Sequence, residues 1–437
     1  MERNLAMARR IARMAEKAGG RVYFVGGFVR DGVMGRESKD VDIEIHGMTA
    51  DAVRGMLSEI GPWKEMGASF GVFALRGYTL DIALPRRGGG KGEDAAIDPF
   101  MGVEEAARRR DFTMNAMMRD ALTGALIDRF GGQADIQNRV IRHVDERTFR
   151  RDPLRAIRAA QFAARLEFAI APETMAFCRT LDLGGLARER VMGEMEKALT
   201  RSGRPSRCFE ALREMGQLEP WLKEVAALIG VKQRADCHPE GDAWTHTMLV
   251  VDEAAKLRDE AKNPAGLMLA ALLHDVGKAV AMQEKDGVIH AYGHETAGAP
   301  LAEDFLRRLT GEKALCRYVL NMVELHMKPN LYAAQNSGQK AWNRLFDRSA
   351  CPEDLLLLAK ADHRGRINAA PYAETERTIR ARLSAYEEMM AEPHITGADL
   401  LARGIQPGEE MGRLLEEAHR LRLAGVKKED ALRQMRL

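Results

Sequence analysis

The pattern of apolar and polar positions divides the chain into two parts. In the first part, an apolar segment at 22–25 runs into Gly26-Gly27, and the segment 41–45 alternates apolar and acidic residues. Both patterns are typical of strands, whereas the periodicity that begins at Thr49 is helical. Segments 70–75 and 78–84 read as paired strands around a turn. The pattern therefore predicts a small mixed sheet with helices.

The second part follows a strand-like segment at 140–144. From there to the C-terminus the apolar residues recur at helical spacing, in stretches rich in Ala, Leu, Arg and Glu. The fold class is therefore an α+β head followed by an all-α remainder. Turn-forming residues place the boundaries near Asp145, at 236–242 and at 367–371. These boundaries predict four regions, which are 1–145, 146–235, 236–366 and 367–437.

Composition favours a globular protein without a membrane segment. Hydrophobic residues make up 46% of the 437 positions, and no apolar run approaches the roughly 20 residues that a membrane span needs. The first residues mix Arg, Glu and Ala at helical spacing, so we expect neither an anchor nor a signal peptide. Since the five cysteines are scattered and none form a CxxC pair, we expect reduced thiols and a cytoplasmic location.

The net charge is only +2, so total charge does not indicate a nucleic-acid-binding protein, and the distribution of charge is more informative. Arginines cluster at 108–110 and again between 139 and 158. Such clusters either bind phosphates or form solvated helix faces, so motifs have to decide between the two.

A candidate metal site lies at the start of the second predicted strand. Asp40 and Asp42 are two apart in a strand pattern, so both carboxylates would point to one face and could share Mg²⁺. Before them, Gly26-Gly27 makes a strand-to-helix turn, where backbone N–H groups and Arg30 could take phosphate oxygens. Each piece alone is common in ordinary edges and turns, but together they favour nucleotidyl transfer.

A second pair of residues could select a base. Ionised Asp152 only accepts hydrogen bonds, whereas the planar guanidinium of Arg155 only donates them. C and A both expose an amine donor beside a ring-nitrogen acceptor on the Watson–Crick edge, so the pair can recognise both bases. The alternative is a helix-surface salt bridge at i and i+3. Read as a base-selecting pair, Asp152 and Arg155 predict selection of CTP and ATP without a nucleic-acid template.

These residues resemble the active-site signature of the DNA polymerase β superfamily, in the form shared by class II CCA-adding enzymes and bacterial poly(A) polymerases. The segment RRDFTMNA at 109–116 is similar to a family motif in which Arg110 would reach the nucleotide. The same motif implies that Asp111 and Asn115 fix the helix against the sheet. The resemblance extends the nucleotide-binding set to Gly27, Arg30, Arg110, Asp152, Arg155 and Arg158.

Further family motifs follow in order. DRFGGQADI at 128–136 resembles an element that couples head to neck, and 189–194 resembles a supporting ERxxxE helix. Arg151 stands where the family has Glu before the template Asp, and Gln161 stands where Arg is frequent. The loop 86–98 is also shorter than in relatives with a similar C-terminal region, which leaves partial CC addition open.

The helical remainder carries a histidine and aspartate constellation. His274-Asp275 ends an apolar helical run, and His246 and Asp362 lie on other helices, with His294 and His326 as further candidates. Such side chains converging from several helices make a divalent-metal site that can activate water, although a lone histidine is more often a core residue. His-Asp-Val-Gly-Lys resembles the HD phosphohydrolase superfamily, which implies a transition metal and activity on phosphate ends of RNA and nucleotides.

We therefore predict an enzyme that adds CCA to tRNA from CTP and ATP by two-metal transfer, with an accessory HD phosphohydrolase. In domain terms, the four regions are a nucleotidyltransferase head, a helical neck and body, an HD domain and a helical tail. A poly(A) polymerase or a CC- or A-adding enzyme is the close alternative. An RNA-binding or nucleotide-sensing protein with a decayed head is the alternative from another class, and the Asp40 and Asp42 pair argues against it.

Overall fold

The computed structural model describes residues 1–38, 40–66, 71–87, 96–236, 238–285 and 288–436. The chain divides into two compact units. The first comprises 1–194 and 207–217, and the second comprises 195–206 and 218–437. Within the described residues, no helix is long and apolar enough to cross a bilayer.

A mixed sheet organises the first unit. Its strands lie in the order β3-β4-β5-β2-β1-β6-β7, and only the β2 and β5 pairing is parallel. The strands are β1 (Arg21–Val25), β2 (Val41–His46), β3 (Trp63–Glu65), β4 (Val72–Leu75), β5 (Leu80–Ala83), β6 (Met118–Asp120) and β7 (Leu126–Ile127). The expected small mixed sheet is confirmed, including the pairing of β4 with β5. Phe70, at the start of the expected strand, lies outside the described residues.

Helices cover the sheet and continue beyond it. They are α1 (Glu2–Lys17), α2 (Gly26–Val33), α3 (Ala50–Ile60), α4 (Val103–Arg108), α5 (Thr113–Ala116), α6 (Gly132–Gln137), α7 (Glu146–Arg150), α8 (Leu154–Leu166), α9 (Pro172–Cys178), α10 (Arg188–Arg201) and α11 (Ser206–Glu214). Strands β8 (Val140–Ile141) and β9 (Ala169–Ile170) form a separate parallel pair. The core beneath the helices is apolar, with Ile43, Phe73 and Ile82 fully buried. This burial fixes β2 and β5 side by side.

The second unit is mostly helical. Its elements after α11 are α12 (Lys223–Ala226), α13 (Ala243–Leu257), a 3-10 turn (Arg258–Glu260), α14 (Pro264–Leu273), α15 (Lys278–Ala281), α16 (His294–Leu309), α17 (Lys313–Leu325), α18 (Met327–Ala334), α19 (Gln339–Arg348), α20 (Pro352–Arg364), α21 (Ala373–Ala391), α22 (Gly397–Leu401), α23 (Glu409–Leu423) and α24 (Lys428–Gln434). Helices α13, α14 and α20 pack against one another. The expectation of a helical remainder is confirmed in outline.

Strand β9 and one hairpin contradict the all-α expectation for the residues after 145. Strands β10 (Gln283–Lys285) and β11 (Val288–His290) pair antiparallel between α15 and α16. The strands are short and mostly polar, so periodicity did not reveal them. The sequence does contain Asp286-Gly287 between them, which is a strong hairpin signal.

Sequence features start the helices that carry the histidines. Asp242 caps α13 by accepting a hydrogen bond from the N–H of Thr245, and Asn263 caps α14 by accepting one from the N–H of Gly266. Helix α14 is apolar on all sides and buried, and it ends directly at His274. The end of a buried helix therefore delivers His274 and Asp275 into the interior of the second unit.

Candidate active sites

The sheet brings two aspartates together in the first unit. Asp42 on β2 lies in register with Asp81 on the neighbouring parallel strand β5, and Asp40 lies one residue before β2 begins. Asp40 and Asp81 are exposed, whereas Asp42 is partly buried. Burial and the nearby Asp81 raise the pKa of Asp42 to about 6. Carboxylates that repel one another in this way form a site that a divalent cation would stabilise.

Asp81 was not predicted from the sequence. Its segment 79–83 alternates like the other strands, so its carboxylate could be assigned to a face. Assigning it to the site, however, required the strand order, because β5 is separated from β2 by β3 and β4 along the chain. Only the parallel pairing of β2 with β5 reveals the third carboxylate.

The glycine turn lies against this carboxylate site. Gly26 has φ of +64°, a conformation that glycine adopts without strain. A Cβ atom there would lie 3.6 Å from Nη1 of Arg110 and 3.7 Å from Oδ2 of Asp42. The backbone of Gly26 thus lies close to both the carboxylate of Asp42 and the guanidinium of Arg110. This arrangement suits a metal-bound triphosphate.

A buried glutamate holds Arg110. Oε2 of Glu44 lies 3.1 Å from Nη2 of Arg110, and Oε1 lies 2.8 Å from Nε2 of His46. Burial alone would raise the pKa of Glu44, but Arg110 and the His46 hydrogen bond lower it to about 2. Glu44 therefore stays ionised and anchors Arg110 next to the glycine turn.

Two of the predicted nucleotide-binding arginines belong to a hydrogen-bond network. Arg30 is 3% exposed, and it donates to Asp31 at 2.8 Å and to Oδ1 of Asn115 at 3.0 Å. Asn115 donates to Asp111 at 2.9 Å. Arg158 donates to Asp111 at 2.7 Å and to Glu194 at 3.0 Å. The network links α2, α5, α8 and α10, so much of the donor capacity of Arg30 and Arg158 is already used.

The predicted template pair lies at the start of α8. Asp152 forms an ion pair with exposed Arg190 at 2.8 Å. Arg155 donates to the carbonyl oxygen of Arg109 at 2.6 Å and to that of Arg110 at 3.5 Å. Arg155 therefore connects the template helix to the segment that carries Arg110.

All six predicted HD residues converge in the second unit, and each is at most 5% exposed. Nε2 of His246 lies 3.1 Å from Oδ1 of Asp362, and Nε2 of His294 lies 3.1 Å from Oδ1 of Asp275. Nε2 of His274 lies 3.2 Å from Oδ2 of Asp275, and Nε2 of His326 lies 3.4 Å from Nε2 of His294. Four imidazoles thus have Nε2 within 4 Å of Asp275. His246 and His274 lie near its Oδ2 atom, and His294 and His326 lie near its Oδ1 atom.

Backbone carbonyls orient three of these rings. Nδ1 of His274, His294 and His326 donates to the carbonyl oxygens of Ala271, Ala291 and Val323 at 2.7–2.8 Å. Each bond fixes the tautomer and leaves the Nε2 lone pair facing inward, as in metal-ligating histidines. Among the described residues, Nε2 of His274 is buried and makes no hydrogen bond. The donor set fits a divalent metal.

The predicted ligands contribute to three groups of potential ligands among the described residues, and two of these groups share Asp275. His246, His274 and Asp275 offer ligand atoms within 4.8 Å of one another, and so do Asp275, His294 and His326. Asp275 belongs to both groups, with one oxygen directed to each. A bridging carboxylate between two cations is therefore compatible with this geometry.

Glu240, just before α13, and Lys278, at the start of α15, complete the environment, and sequence analysis did not assign them a role. Glu240 has a fully buried side chain and lies 2.8 Å from Nδ1 of both His238 and His246. Lys278 lies 2.6 Å from Oδ2 of Asp275. The segment His-Pro-Glu and the last residue of His-Asp-Val-Gly-Lys were visible in the sequence. Their partners became apparent only in the folded helices.

Comparison with known proteins gives three matching family models. Residues 22–142 match the poly(A) polymerase head domain, and residues 243–382 match the HD domain. Residues 167–229 match a model described as the probable RNA and SrmB-binding site of polymerase A.

Curated relatives match along nearly the whole chain, and they carry the name multifunctional CCA protein. The relative from Ralstonia nicotianae is 37% identical over 387 residues, covering 83% of this chain and 87% of its own. The relative from Burkholderia cenocepacia is 35% identical over 428 residues, covering 93% of this chain and 98% of its own.

Solved structures of CCA-adding enzymes share the fold. The Bacillus stearothermophilus enzyme in complex with CTP is 25% identical, with a TM-score of 0.66 over 97% of this chain and 94% of that one. The Thermotoga maritima enzyme complexed with tRNA is 19% identical, with a TM-score of 0.64 over 98% of this chain and 95% of that one.

Proposed function

The chain belongs to the multifunctional CCA protein family, and we propose on that premise that it adds CCA to tRNA from CTP and ATP and hydrolyses phosphate ends at its HD centre. The resemblance inferred from its motifs is thereby confirmed. The observation that carries the transferase assignment is the position of Asp42 beside the Gly26 turn and Arg110, with Asp81 in register on the neighbouring strand.

In the head, Asp40 and Asp42 are the proposed ligands of Mg²⁺, with Asp81 as a third carboxylate. Bound Mg²⁺ would neutralise the triphosphate and activate the 3′ hydroxyl of the tRNA. The N–H groups of the Gly26-Gly27 turn and the guanidinium of Arg110 would hold phosphate oxygens. The tRNA 3′ oxygen then forms a bond to the α-phosphorus, and pyrophosphate leaves.

Base selection falls to Asp152 and Arg155. Asp152 would accept from the exocyclic amine of C or A, and Arg155 would donate to the ring nitrogen. In the free protein Asp152 pairs with Arg190, so an incoming base would replace an exposed and weakly bound partner. Arg155 retains its backbone contacts near Arg110 and so couples base recognition to the phosphate site.

Arg30 was expected to take phosphate oxygens and Arg158 to bind the nucleotide, and we propose a supporting role for both. Their hydrogen bonds to Asn115, Asp111 and Glu194 support the helices around the nucleotide. Gly27 stays in the proposed phosphate turn.

Nucleotide addition is tested with a tRNA transcript that lacks CCA. We expect two added residues with CTP alone, essentially none with ATP alone, and three with both nucleotides. Product length on a denaturing gel measures each case. Long A tails would instead indicate a poly(A) polymerase, and products that stop after two residues with both nucleotides would indicate a CC-adding enzyme.

In the second unit, we propose a divalent transition-metal centre held by His246, His274, Asp275 and Asp362, with His294 and His326 completing a second position. Imidazole-rich sites suit such metals, and a bound metal would supply activated water for phosphoester hydrolysis. Metal-stripped protein titrated with Mn²⁺, Co²⁺ and Ni²⁺ tests this assignment. We expect about two ions per chain and hydrolysis of 2′,3′-cyclic AMP. Binding of no transition metal would refute it.

A further inference from the structure

An exposed aromatic pair lies beside the HD cluster. The ring of Tyr292 stacks on that of His290, with centroids 4.8 Å apart and an angle of 14° between the planes. Tyr292 is 79% exposed, the largest exposed fraction among the large hydrophobic residues described. His290 thus covers one face of the Tyr292 ring, and the other face is open to solvent.

The pair is tied to the metal cluster through the backbone. His290 ends β11, and Ala291, between the two aromatic residues, accepts a hydrogen bond from Nδ1 of His294 at 2.8 Å. Tyr292 is two residues from His294, so their Cα atoms are at most about 7.6 Å apart. The backbone that carries the stacked rings therefore lies next to the cluster.

We propose that Tyr292, supported by His290, stacks against the base of a nucleotide whose 2′- or 3′-phosphate is bound at the HD centre. This inference rests on the proposed HD function. A flat and solvent-exposed ring is an unfavourable surface for a soluble protein but a good platform for a nucleobase, and stacking accepts any base. A phosphate without a base gains nothing from the platform.

The neighbouring surface is consistent with such a ligand. Exposed Val288 lies two residues before His290 on β11, so both side chains emerge on the same face of the hairpin. Apolar and aromatic side chains next to a polar metal cluster match the two ends of a nucleotide.

The test compares two substrates of the metal-loaded full-length protein. One is 2′-AMP, and the other is glycerol 2-phosphate, which also carries a secondary-alcohol phosphate but no base. Tyr292→Ala should raise KM for 2′-AMP about tenfold, the size expected from losing one stacking contact, and leave KM for glycerol 2-phosphate unchanged. Tyr292→Phe retains the ring and should behave as wild type. Leu331→Ala, at a residue that is 45% exposed on α18, is the matched surface control.

Two results would overturn the inference. An equal loss on both substrates would mean that Tyr292 only positions His294, and an unchanged KM for 2′-AMP would mean that the ring contacts no base. A short RNA with a 2′,3′-cyclic end, assayed in parallel, distinguishes RNA termini from free nucleotides as the source of the base.

Failure of the HD function itself would be recognised separately. If wild type hydrolysed neither substrate with any metal, binding of 2′-AMP to the metal-loaded protein would be measured by equilibrium dialysis. Weaker binding to Tyr292→Ala than to wild type and Tyr292→Phe would support the stacking site. Equal binding to all three would refute it.

Discussion

The two candidate sites use carboxylates for related phosphoryl chemistry but build them in opposite ways. In the head, Asp40, which precedes β2, and Asp81 on β5 are exposed, and Asp42 on β2 is only partly buried. In the HD centre, every predicted ligand is at most 5% exposed. The first site lies on neighbouring strands, whereas the second is enclosed by helices such as α13, α14 and α20.

The pKa values of the carboxylates also differ between the two sites. Burial and Asp81 raise the pKa of Asp42, because acidic neighbours outweigh the effect of Arg110. Despite burial, His274 and Lys278 hold the pKa of Asp275 well below its usual range, and His246 does the same for Asp362. In the proposed function, cations that arrive with the nucleotide complete the head site, whereas the side chains of the HD site are already paired in the free protein.

Removing a head carboxylate should have the largest effect, and it tests whether the two sites act independently. Asp40→Asn or Asp42→Asn should lower nucleotide addition by at least about a thousandfold, because each removes a proposed metal ligand. Hydrolysis at the HD centre and tRNA binding should be unchanged. The measurement is the initial rate of CMP incorporation, with 2′,3′-cyclic AMP hydrolysis by the same preparation as control. A loss of only a few fold would count against a two-metal site.

The reciprocal change is made in the HD centre. His274→Ala or Asp275→Ala should eliminate metal-dependent hydrolysis and spare CCA addition. Because these residues are buried, circular dichroism must first show that the variants are folded. His419→Ala, at a partly exposed histidine on α23, is the matched control. Loss of CCA addition in a folded HD variant would show that the two sites are not independent.

Most of the head could be predicted from the sequence, because strand alternation and glycine turns are local signals. Asp40, Asp42 and the turn at Gly26 were found in this way. Asp81 was missed because its role depends on the pairing of β5 with β2, which no local pattern specifies. Glu44 was missed because its burial beneath Arg110 depends on the same packing.

The HD ligands were predictable for a different reason. The resemblance to the HD superfamily implied these residues as metal ligands, but it did not imply the residues that contact them. Glu240 and Lys278 contact His246 and Asp275 only after the helices converge. The hairpin of β10 and β11 was missed because its strands are too short and polar for periodicity to detect.

A third prediction concerns the proposed base-selecting pair in the first unit. Asp152→Ala removes the acceptor for the amine of C and A while the carboxylates and Arg110 stay in place. UTP and GTP should approach CTP and ATP in kcat/KM by about tenfold or more. Values for all four nucleotides, in wild type and variant, give the measurement. A uniform fall for all four would mean that Asp152 only braces the neck through Arg190.

A smaller effect on nucleotide binding is expected from a change in Glu44, which contacts Arg110. Glu44→Gln keeps the shape of the side chain but removes the charge that holds Arg110. KM for CTP should rise a few fold, on the order of 1 kcal/mol, while kcat changes little, because Arg110 is displaced and the carboxylates are not. Steady-state kinetics at saturating tRNA separate the two constants. A fall in kcat at constant KM would place Glu44 in the chemical step instead.

The remaining prediction concerns the stability of the protein and not its activity. The folded-state pKa of Asp42 is about 6, above its ordinary value of 3.8, so ionisation destabilises the metal-free protein as pH rises through this window. Asp42→Asn cannot ionise, and at pH 7.5 in EDTA it should be more stable than wild type by on the order of 1–2 kcal/mol. The difference should shrink as pH falls from 6 towards 4.

Added Mg²⁺ should stabilise wild type more than the variant, because bound metal compensates the repulsion. Chemical denaturation at several pH values measures each difference, and a variant less stable than wild type in EDTA would mean that Asp42 is not held against its neighbours' charge.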